Sequence, residues 1–339
     1  MSDLVSVIVP CRNERAHIEA FCASLFAQQL PPGWALEAVI ADGQSDDGTA
    51  EWLAQRAATD GRLRVIDNPG RIVSTGLNQA LCIARGRVIV RMDVHSVYAN
   101  DYMAECIAAI ARSGADNVGG AWRAVGRQPM QRAICAVFQS RWISGGARSR
   151  LLDYEGEVDT VYLGAWPRQS FERFGGFDEN LVRNQDDEHN LRIVKGGGRV
   201  WQSARIRSSY TPRDNLGALR RQYLQYGYWK PFVMRKHGQP AALRHLVPGL
   251  FVLALAAATV LLPISAVPLA GLLLAYGGVL LLATASLAGQ GGGVLLRAPA
   301  VIATYHLAYG LGSVLGWIDV LRGVPPEAAR HSRFARLTR

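Results

Sequence analysis

The sequence predicts an α/β domain built on a mainly parallel β-sheet, followed by an α-helical region that is apolar enough for a membrane. Two observations lead to this fold class. Short β-branched runs alternate with longer helical patterns over residues 5–112, which is typical of β-α units. Residues 246–296 then contain no charged side chain, which is typical of membrane-spanning helices.

The first part of the chain supplies the strands of the sheet. In open parallel sheets ligands bind beyond the carboxyl ends of the strands, so polar residues just after a strand are candidates for a site. Such residues are Arg12, Asn13, Glu14, Asp42 and Asp93. The predicted strands are 5–10, 36–41, 63–66 and 87–92, and the predicted helices are 14–28, 50–58 and 75–84.

The middle of the chain has a weaker pattern. Residues 118–158 read as irregular, with a helix over 133–143 and a polar loop over 144–150. In the block 160–201, the segments 164–166 and 174–179 are predicted turns around an extended segment. A short helix with Asn184 as its cap and acidic residues in its first turn is expected next, ending at the glycines 196–198.

The formal net charge of +10 indicates an acidic partner. Nucleic acid, an anionic membrane surface and a phosphorylated substrate all fit that charge. Residues 205–245 are basic and aromatic, which favours a helix in the headgroup region of a membrane. Because this segment adjoins the uncharged run and no recognition motif is present, we expect no nucleic acid as a partner.

The five cysteines are scattered and form no close pair, so neither a disulfide framework nor a zinc site is indicated. A reducing, cytoplasmic setting fits this usage best. The apolar run 5–9 is too short for a signal peptide and is followed at once by Arg12. We therefore expect the amino terminus to stay in the cytoplasm.

The uncharged run has room for two membrane crossings, over about 246–263 and 266–288. A third segment, 298–318, is either a further span or a re-entrant or surface helix. The arginines of the tail favour a cytoplasmic carboxyl terminus, which an even number of crossings satisfies. The expected division is a catalytic domain over 1–210, an interfacial helical segment over 211–245, a membrane region over 246–320 and a basic cytoplasmic tail over 321–339.

Asp93 and His95 stand two residues apart at the end of an apolar run. In an extended strand their side chains would project to the same side, where they could share one cation. The alternative is that Asp93 begins a turn and His95 caps a loop, because Asp-x-His pairs arise often by chance. The pair alone does not decide between the two interpretations.

Four motifs in order carry a resemblance to a known family. Val-Ile-Val-Pro at 7–10 is followed by Arg-Asn-Glu at 12–14, and Asp-Gly-Gln-Ser-Asp-Asp-Gly-Thr stands at 42–49. Arg-Met-Asp-Val-His stands at 91–95, and Asn-Gln-Asp-Asp-Glu at 184–188. Together they resemble the family 2 glycosyltransferases with a GT-A fold, in particular the membrane-anchored bacterial enzymes of exopolysaccharide assembly of the succinoglycan type. The resemblance covers roughly two thirds of the chain.

The resemblance implies a nucleotide-sugar site. Asp93 would be the metal ligand, and His95 replaces the second acid of the Asp-x-Asp found in many relatives; its imidazole suits Mn²⁺ better than Mg²⁺. Asp42 matches the position that hydrogen-bonds a uracil ring, although a turn-forming Asp before a glycine is the alternative. Pro10, Arg12 and Glu14 would complete the donor site, with helix-start roles as the competing interpretation for Arg12 and Glu14.

The resemblance also implies where the proton of the acceptor goes. Asp186 occupies the position of the base that takes this proton, and Asp187 offers a second carboxylate. Glu188 is expected to support the helix or a nearby Arg. Asp47 and Thr49 are expected to cap the helix after the second strand. A looser match to the acceptor-handling region of polymerising relatives marks possible acceptor or diphosphate contacts at Gln222, Trp229 and Lys230.

The function expected from this resemblance is inverting, metal-dependent transfer of a hexose such as glucose from a UDP-sugar to a polyprenyl-diphosphate-linked saccharide. The enzyme would be a multi-pass protein of the bacterial inner membrane with its catalytic domain in the cytoplasm, and other polysaccharide-assembly proteins are possible partners. A processive polysaccharide synthase and a catalytically inactive membrane scaffold are the alternatives.

Overall fold

The computed structural model describes residues 3–140, 145–240, 242–330, 332 and 334. The chain forms two compact units, which are described separately. The first comprises residues 1–123 and 151–210, and the second comprises residues 124–150 and 211–339. Residues 141–143 of the predicted helix 133–143, and residues 331, 333 and 335–339 of the predicted basic tail, lie outside the described residues.

The elements up to the end of the first unit, in chain order, are as follows. They are β1 (Asp3–Cys11), α1 (Ile18–Phe26), β2 (Trp34–Asp42), α2 (Thr49–Thr59), β3 (Leu63–Asp67), α3 (Val73–Ile83), β4 (Val88–Arg91), β5 (Ser96–Tyr98), α4 (Tyr102–Ser113), β6 (Asn117–Gly120), β7 (Arg123–Ala124), α5 (Pro129–Gln139), β8 (Gly156–Glu157), β9 (Tyr162–Pro167), α6 (Arg168–Phe174), α7 (Gln185–Lys195), β10 (Val200–Gln202) and β11 (Ser208–Tyr210). Of these, α5 packs in the second unit.

The first unit is built on an eight-stranded sheet with the order β3-β2-β1-β4-β9-β6-β10-β8. β1 pairs in parallel with β2 and β4, β2 with β3, and β6 with β10. β9 runs antiparallel between β4 and β6. A smaller sheet has the order β5-β11-β7.

The sheet has a hydrophobic core on each face. Val5, Val7 and Val9 of β1 enter one core, whereas Ile8 enters the other. This follows from the alternation of side chains along a strand. Because helices cover both faces, the central strands are apolar at nearly every position, and that is the pattern read from the sequence.

The four strands and three helices predicted for residues 5–112 are present, with ends shifted by a few residues. The helix predicted over 133–143 begins earlier, at Pro129. The turn predicted at 164–166 is wrong. Those residues lie inside β9, where Ala165 and Trp166 are buried between β4 and β6. The Gly-containing run was mistaken for a turn because it carries no alternating pattern.

The second unit is helical in the residues described. Besides α5 it contains α8 (Leu216–His237), α9 (Val247–Val260), α10 (Val267–Ala285), α11 (Gly292–Leu321) and α12 (Pro326–Ala329). α8 and α11 pack at very short range. A Cβ atom on Gly312 would lie 2.2 Å from the carbonyl oxygen of Leu224, and one on Gly227 would lie 2.1 Å from that of Tyr309. Only glycine allows the two backbones this approach.

Three helical segments of the second unit are long and apolar enough to cross a membrane by length and composition. They are Leu243–Val260, Val267–Ala285 and Gly292–Leu321. The first two are mostly exposed, at 11 % and 6 % buried, whereas 39 % of the third is buried within the molecule. The third segment is therefore distinguished from the other two by its packing partners, which include α5, α8 and α9.

Candidate active site

The carboxyl ends of three neighbouring strands lie side by side in the first unit. β1 and β2 end level with one another, since Cys11 is paired with Asp42. β4 lies on the other side of β1, with Arg91 paired to Ile8. The loops that carry Arg12, Glu14, Asp42 and Asp93 therefore leave the same edge of the sheet, as expected for a parallel arrangement.

The loops after β1 and β2 are tied together by side-chain hydrogen bonds. The Asn13 amide N–H donates to Ser45 Oγ at 2.7 Å, and the Asp46 N–H donates to Asn13 Oδ1 at 3.0 Å. Asn13 has a φ of +53°, a conformation that Asn tolerates better than most residues. The Asp42 carboxylate accepts from the Ser45 N–H at 3.0 Å and from its hydroxyl at 2.6 Å. Asp42, which precedes Gly43, thus forms the turn that was the alternative to a uracil contact.

The start of α2 is held to the first loop as well. Asp47 Oδ1 accepts from the Thr49 N–H at 3.1 Å and from the Thr49 hydroxyl, so Asp47 satisfies an N–H of the first turn as predicted, whereas Thr49 is the first residue of the helix and the N-cap position is Gly48. The Thr49 hydroxyl oxygen accepts from the Glu14 N–H at 2.9 Å. Of the other donor-site candidates, Pro10 lies within β1 beside Ala41, and the Arg12 side chain covers Gly43.

Asp93 and His95 lie in a tight turn between β4 and β5, and the expectation of an extended strand at this point is wrong. The Ser96 N–H donates to the Asp93 carbonyl oxygen at 3.1 Å and closes the turn. The Tyr98 hydroxyl accepts from the Asp93 N–H at 2.7 Å and donates to the Asp93 carbonyl at 3.1 Å. Tyr98 thus replaces the strand pairing that Asp93 loses when β4 ends at Arg91.

The two candidate metal ligands differ in exposure. The Asp93 side chain is 16 % exposed and accepts two hydrogen bonds from Arg91, from Nε and from Nη2, both at 3.1 Å. The His95 side chain is 48 % exposed, and its Nδ1 lies 3.8 Å from Glu14 Oε1. Glu14 therefore lies beside the turn of Asp93 and His95, in keeping with the expected convergence of the strand ends.

The donor set fits a divalent cation that is completed by ligands from outside the chain. Each carboxylate oxygen of Asp93 accepts one bond from Arg91 and has a second lone pair left. Carboxylate and imidazole are ligands that Mn²⁺ accepts. Among the described residues no group of three or more His, Cys, Asp or Glu is placed to hold an ion. Sites of this kind use one or two protein ligands together with phosphate oxygens of the substrate.

The α7 helix presents Asp186 and Asp187 in its first turn. Both side chains are partly exposed, and Asp186 Oδ1 accepts from the Asp187 N–H at 2.9 Å. The opposite face of the helix is buried. There Glu188 pairs with Arg192, which confirms the supporting role expected for Glu188. His189 is fully buried and stacks on Phe171.

Asn184 precedes α7 as predicted, but it caps the helix differently from the expectation. Its backbone is left-handed, with a φ of +62°, and its side chain makes no capping hydrogen bond to the helix. The contribution of Asn184 is therefore its tolerance of this conformation, which few residues other than glycine share.

The buried guanidinium of Arg91 connects the two acidic regions. Burial by itself would lower the pKa of Arg91, but the negative charges of Asp93 and Asp186 outweigh burial and raise it, so the side chain stays charged. One fixed cation thus lies within electrostatic reach of the candidate metal ligand and of the candidate base. Asp93 is also near the hydroxyls of Tyr98 and Tyr162, whose pKa values are raised well above the usual range, first by burial and then by this carboxylate.

An aromatic cluster lies next to the metal motif. The Trp122 and Tyr162 rings are stacked, with centroids 5.1 Å apart and planes 11° from parallel. Tyr210 contacts both rings, and its own ring lies 6.3 Å from that of His95. The Tyr162 hydroxyl is 2.8 Å from Ser96 Oγ. The cluster therefore contacts the turn through Ser96 and His95.

Gln222, Trp229 and Lys230 lie on α8 in the second unit and are buried there. Trp229 Nε1 donates to the carbonyl oxygen of Phe334. Lys230 is only 3 % exposed, so this residue does not fit the headgroup position that was expected for the segment 205–245. Trp229 and Tyr228 are buried as well, whereas the arginines near the two ends of α8 are exposed.

Three residues that matter to the turn were not singled out as site residues from the sequence. Arg91, Tyr98 and Tyr162 act through contacts that only the folded sheet creates. The one available signal was the charged Arg91 at the end of an otherwise apolar strand. A buried charge in such a position needs a partner, and Asp93 was the nearest candidate.

Comparison with known proteins adds to this geometry. The family model described as glycosyl transferase family 2 matches residues 6–166. The succinoglycan biosynthesis protein ExoA of Rhizobium meliloti is 32 % identical over 253 residues, which cover 71 % of this chain and 73 % of that protein. A dolichyl N-acetyl-alpha-D-glucosaminyl phosphate 3-beta-D-2,3-diacetamido-2,3-dideoxy-beta-D-glucuronosyltransferase of Methanococcus voltae is 24 % identical and covers 69 % of this chain and 75 % of its own length.

A solved structure shares the fold. The mannosyltransferase PcManGT from Pyrobaculum calidifontis, in complex with GDP-Man and Mn²⁺, superposes with a TM-score of 0.57 at 21 % sequence identity. The match covers 93 % of this chain and 87 % of that one. The GT-A-like, mainly parallel sheet expected from the sequence is confirmed.

Proposed function

Because this chain belongs to glycosyltransferase family 2 and is a glycosyltransferase, we propose that it moves one hexose, with inversion, from a UDP-sugar to a polyprenyl-diphosphate-linked saccharide. The process served is bacterial exopolysaccharide or cell-surface glycan assembly. The observation that carries the proposal is that Asp93 lies paired with Arg91 at the carboxyl edge of the sheet, with His95 of the same turn beside Glu14 and Asp186 within electrostatic reach of Arg91.

The donor site is formed by the loops after β1 and β2. Asp42 accepts the imide proton of uracil with the lone pairs that Ser45 leaves, while Pro10, Arg12 and Glu14 line the path from ribose to phosphate. Glucose is the proposed hexose. A relative by fold is described with a nucleotide-diphosphate sugar, which supports this class of donor, although its nucleotide is a guanosine.

Asp93 and His95 would hold a divalent cation, Mn²⁺ or Mg²⁺, with Mn²⁺ favoured by the imidazole ligand. When bound, the cation neutralises the diphosphate and stabilises it as a leaving group. Tyr98 and Arg91 fix the Asp93 backbone and carboxylate before any ligand arrives, and such preorganisation lowers the cost of assembling the site.

Asp186 is the proposed base. It accepts the proton of the acceptor hydroxyl as that oxygen attacks the anomeric carbon, and its partial exposure leaves it accessible to the acceptor. Asp187, beside it in the first turn of α7, is the second carboxylate available to contact the acceptor. The buried residues Gln222, Trp229 and Lys230 are not retained as acceptor contacts.

The acceptor is proposed to be lipid-linked, with the enzyme at the inner membrane and the catalytic unit on the cytoplasmic side. Two relatives support this, one named for succinoglycan biosynthesis and one for a dolichyl-linked sugar phosphate. The exposed apolar surfaces of α9 and α10 also require a nonaqueous environment. Other polysaccharide-assembly proteins are candidate partners.

We propose two membrane crossings, made by α9 and α10. The second half of α11 runs beside α8 with glycine-mediated contacts, so the two helices share one environment. α8 carries exposed charges near both ends, Arg220 and Arg221 at one end and Arg235 and Lys236 at the other. Five of the 22 residues of α8 are Lys or Arg, and one of them, Lys230, lies within the helix, so α8 is unsuited to hydrocarbon and we place α11 at the membrane surface with it.

A screen of labelled UDP-sugars against bacterial membrane lipids tests the function. Membranes containing the protein should transfer one hexose from UDP-glucose to a lipid-extractable product when Mn²⁺ is present. Omission of the metal should remove transfer, and its return should restore it. Transfer only from a GDP-sugar would overturn the assignment of the donor, and a ladder of many added sugars would indicate a processive synthase. The absence of both transfer and nucleotide binding would indicate an inactive scaffold.

A further inference from the structure

Arg91 is the last residue of β4, and its side chain is only 7 % exposed. Its guanidinium donates to both oxygens of Asp93, as a planar two-pronged contact. Such a contact fixes the plane of a carboxylate as well as its position. The direction in which the remaining lone pairs of Asp93 point is therefore set by Arg91.

One donor of Arg91 is unused. Nη1 is buried and has no hydrogen-bond partner among the described residues. A buried donor left without an acceptor costs free energy, so it counts against Arg91 as a residue kept for stability. In a different part of the same unit, Arg192 holds Glu188 with the same two-pronged contact. Its Nη1, by contrast, donates to the carbonyls of Phe174 and Gly176, at 2.7 and 2.8 Å.

The comparison separates two kinds of arginine–carboxylate pair. In the pair of Arg192 and Glu188 the described donors of the guanidinium are used within the fold, and the carboxylate is fully buried. In the pair of Arg91 and Asp93 one donor is unused and the carboxylate is partly exposed. The first pair has the form of a structural tie, and the second has the form of a support for a ligand.

Arg91 also acts on a second carboxylate. Asp186, in the first turn of α7, lies within electrostatic reach of the same guanidinium as Asp93 in the turn after β4. The fixed positive charge of Arg91 therefore attracts both acids.

We propose that Arg91 is a positioning residue for the transfer reaction: it orients the Asp93 carboxylate toward a divalent cation. The inference rests on the proposed function, because it takes Asp93 as a metal ligand and Asp186 as the base. It extends that function to a residue outside the donor, metal and base set.

The test compares Arg91→Met, Arg91→Lys and the matched control Arg192→Lys in the purified full-length protein. Calorimetry with MnCl₂ in the presence of UDP measures metal binding, and steady-state kinetics measures kcat and KM for the donor. In Arg91→Met we expect the dissociation constant for Mn²⁺ to rise about 10- to 100-fold, as for other residues that orient a metal ligand. kcat should fall by a similar factor, with a smaller change in KM.

Arg91→Lys should recover part of kcat, because lysine restores the positive charge that acts on Asp93 and Asp186. It should recover little of the Mn²⁺ affinity, because an ammonium cannot hold both oxygens of Asp93. Arg192→Lys should lower the melting temperature and leave the Mn²⁺ affinity unchanged. If Arg91→Met does not fold, the Mn²⁺ affinities of Arg91→Lys and Arg192→Lys are compared instead, and only Arg91→Lys should show a loss.

The possible failures are distinguishable. If the natural protein binds no Mn²⁺ in the presence of UDP, the proposed function is overturned together with this inference. If the natural protein binds Mn²⁺ and the Arg91 variants match it within about twofold in affinity and kcat, the inference alone is overturned. Equal losses of affinity in Arg91→Lys and Arg192→Lys would also overturn it, since they would indicate a general effect of stability.

Discussion

The turn that carries Asp93 and His95 is held by residues on three sides. The Tyr98 hydroxyl is hydrogen-bonded to the backbone of Asp93, and Arg91 donates to the Asp93 carboxylate. The Tyr162 hydroxyl is hydrogen-bonded to the hydroxyl of Ser96, the residue at which the turn ends. The turn is therefore rigid although it lies outside the strands. A rigid first ligand is what a cation site with few protein ligands requires, because the remaining ligands come and go with the substrate.

Tyr98→Phe is expected to loosen this turn. The change leaves the Asp93 N–H and carbonyl without their shared partner, which should cost about 1–3 kcal/mol and lower the melting temperature. Mn²⁺ affinity in the presence of UDP should fall as well, since Asp93 is less ordered. The measurements are thermal unfolding and calorimetry.

Tyr102→Phe is the matched control for that variant. The Tyr102 ring packs on that of Tyr98, with centroids 4.9 Å apart, but its hydroxyl lies next to the Cys106 thiol and makes no hydrogen bond to the turn. This variant should keep the Mn²⁺ affinity of the natural protein. A similar loss of affinity in both variants would contradict the role given to Tyr98.

At the residue scale, sequence reasoning found the polar residues that follow strands and could not find their supports. Asp93, His95 and Asp186 were recognisable because each stands in a short motif. Arg91 and Asp186 are brought together only by the packing of α7 against the sheet, and the contact of Glu14 with His95 arises from two separate loops. No local pattern encodes such a contact.

At the scale of the elements, one buried acid joins several parts of the sheet. Glu37 of β2 is 3 % exposed and accepts bonds from the Ser6 hydroxyl at 2.5 Å and from the Arg85 N–H at 2.6 Å. It also pairs with the side chains of Arg64 and Arg85. The residues involved come from β1, β2, β3 and the loop before β4, so Glu37 fixes these elements to one another.

Glu37→Gln should destabilise the first unit, most strongly near neutral pH. Burial alone would raise the pKa of Glu37, but the bonds from Ser6 and Arg85 and the charge of Arg64 outweigh it and hold the pKa below its usual 4.5. The ionised acid therefore stabilises the fold fully above pH 4.5, and the contribution is lost as the pH falls through the lower, folded-state pKa.

This pH dependence can be measured from the melting temperatures of the natural and Glu37→Gln proteins between pH 7 and pH 3. The difference should correspond to about 1–3 kcal/mol at pH 7 and should shrink below pH 4.5. The exposed salt bridge of Arg87 with Asp3 offers the control, because Asp3→Asn should change stability by less than about 1 kcal/mol. A difference in stability between the natural and Glu37→Gln proteins that does not change with pH would contradict stabilisation by the ionised form of Glu37.

Element by element, the sequence was informative where periodicity was strong. The parallel strands β1 to β4 were found because they are buried on both faces and read as apolar runs. β9 was missed because its Gly-Ala-Trp segment has the composition of a turn. The burial of α8 was missed because a basic, aromatic helix looks interfacial until its partner α11 is known.

At the scale of the whole molecule, the chain combines a catalytic sheet with helices suited to a membrane. Among the described residues, α9 and α10 expose most of their apolar surface, while α11 is the most buried of the three candidate spans. Length and composition alone would count three crossings. We propose two crossings, because α11 packs on α8, which carries exposed charges.

Reporter fusions at the carboxyl terminus test this topology. Two crossings keep both termini on the cytoplasmic side, so a fluorescent protein fused after Arg339 should be bright and a periplasmic phosphatase inactive. The same pair fused after Ser265, in the turn between α9 and α10, should give the opposite result. Phosphatase activity at the carboxyl terminus would indicate three crossings and contradict the surface position of α11.

The most direct test of the central claim is the turnover of Asp186→Asn beside that of the natural protein, with UDP binding measured on both. The asparagine is nearly the same size but cannot take a proton, so UDP release in the presence of Mn²⁺, UDP-glucose and lipid acceptor should fall by about 100-fold or more. UDP binding by calorimetry should stay within about twofold, because Asp186 does not belong to the donor site. Unchanged turnover in Asp186→Asn would contradict the assignment of the base.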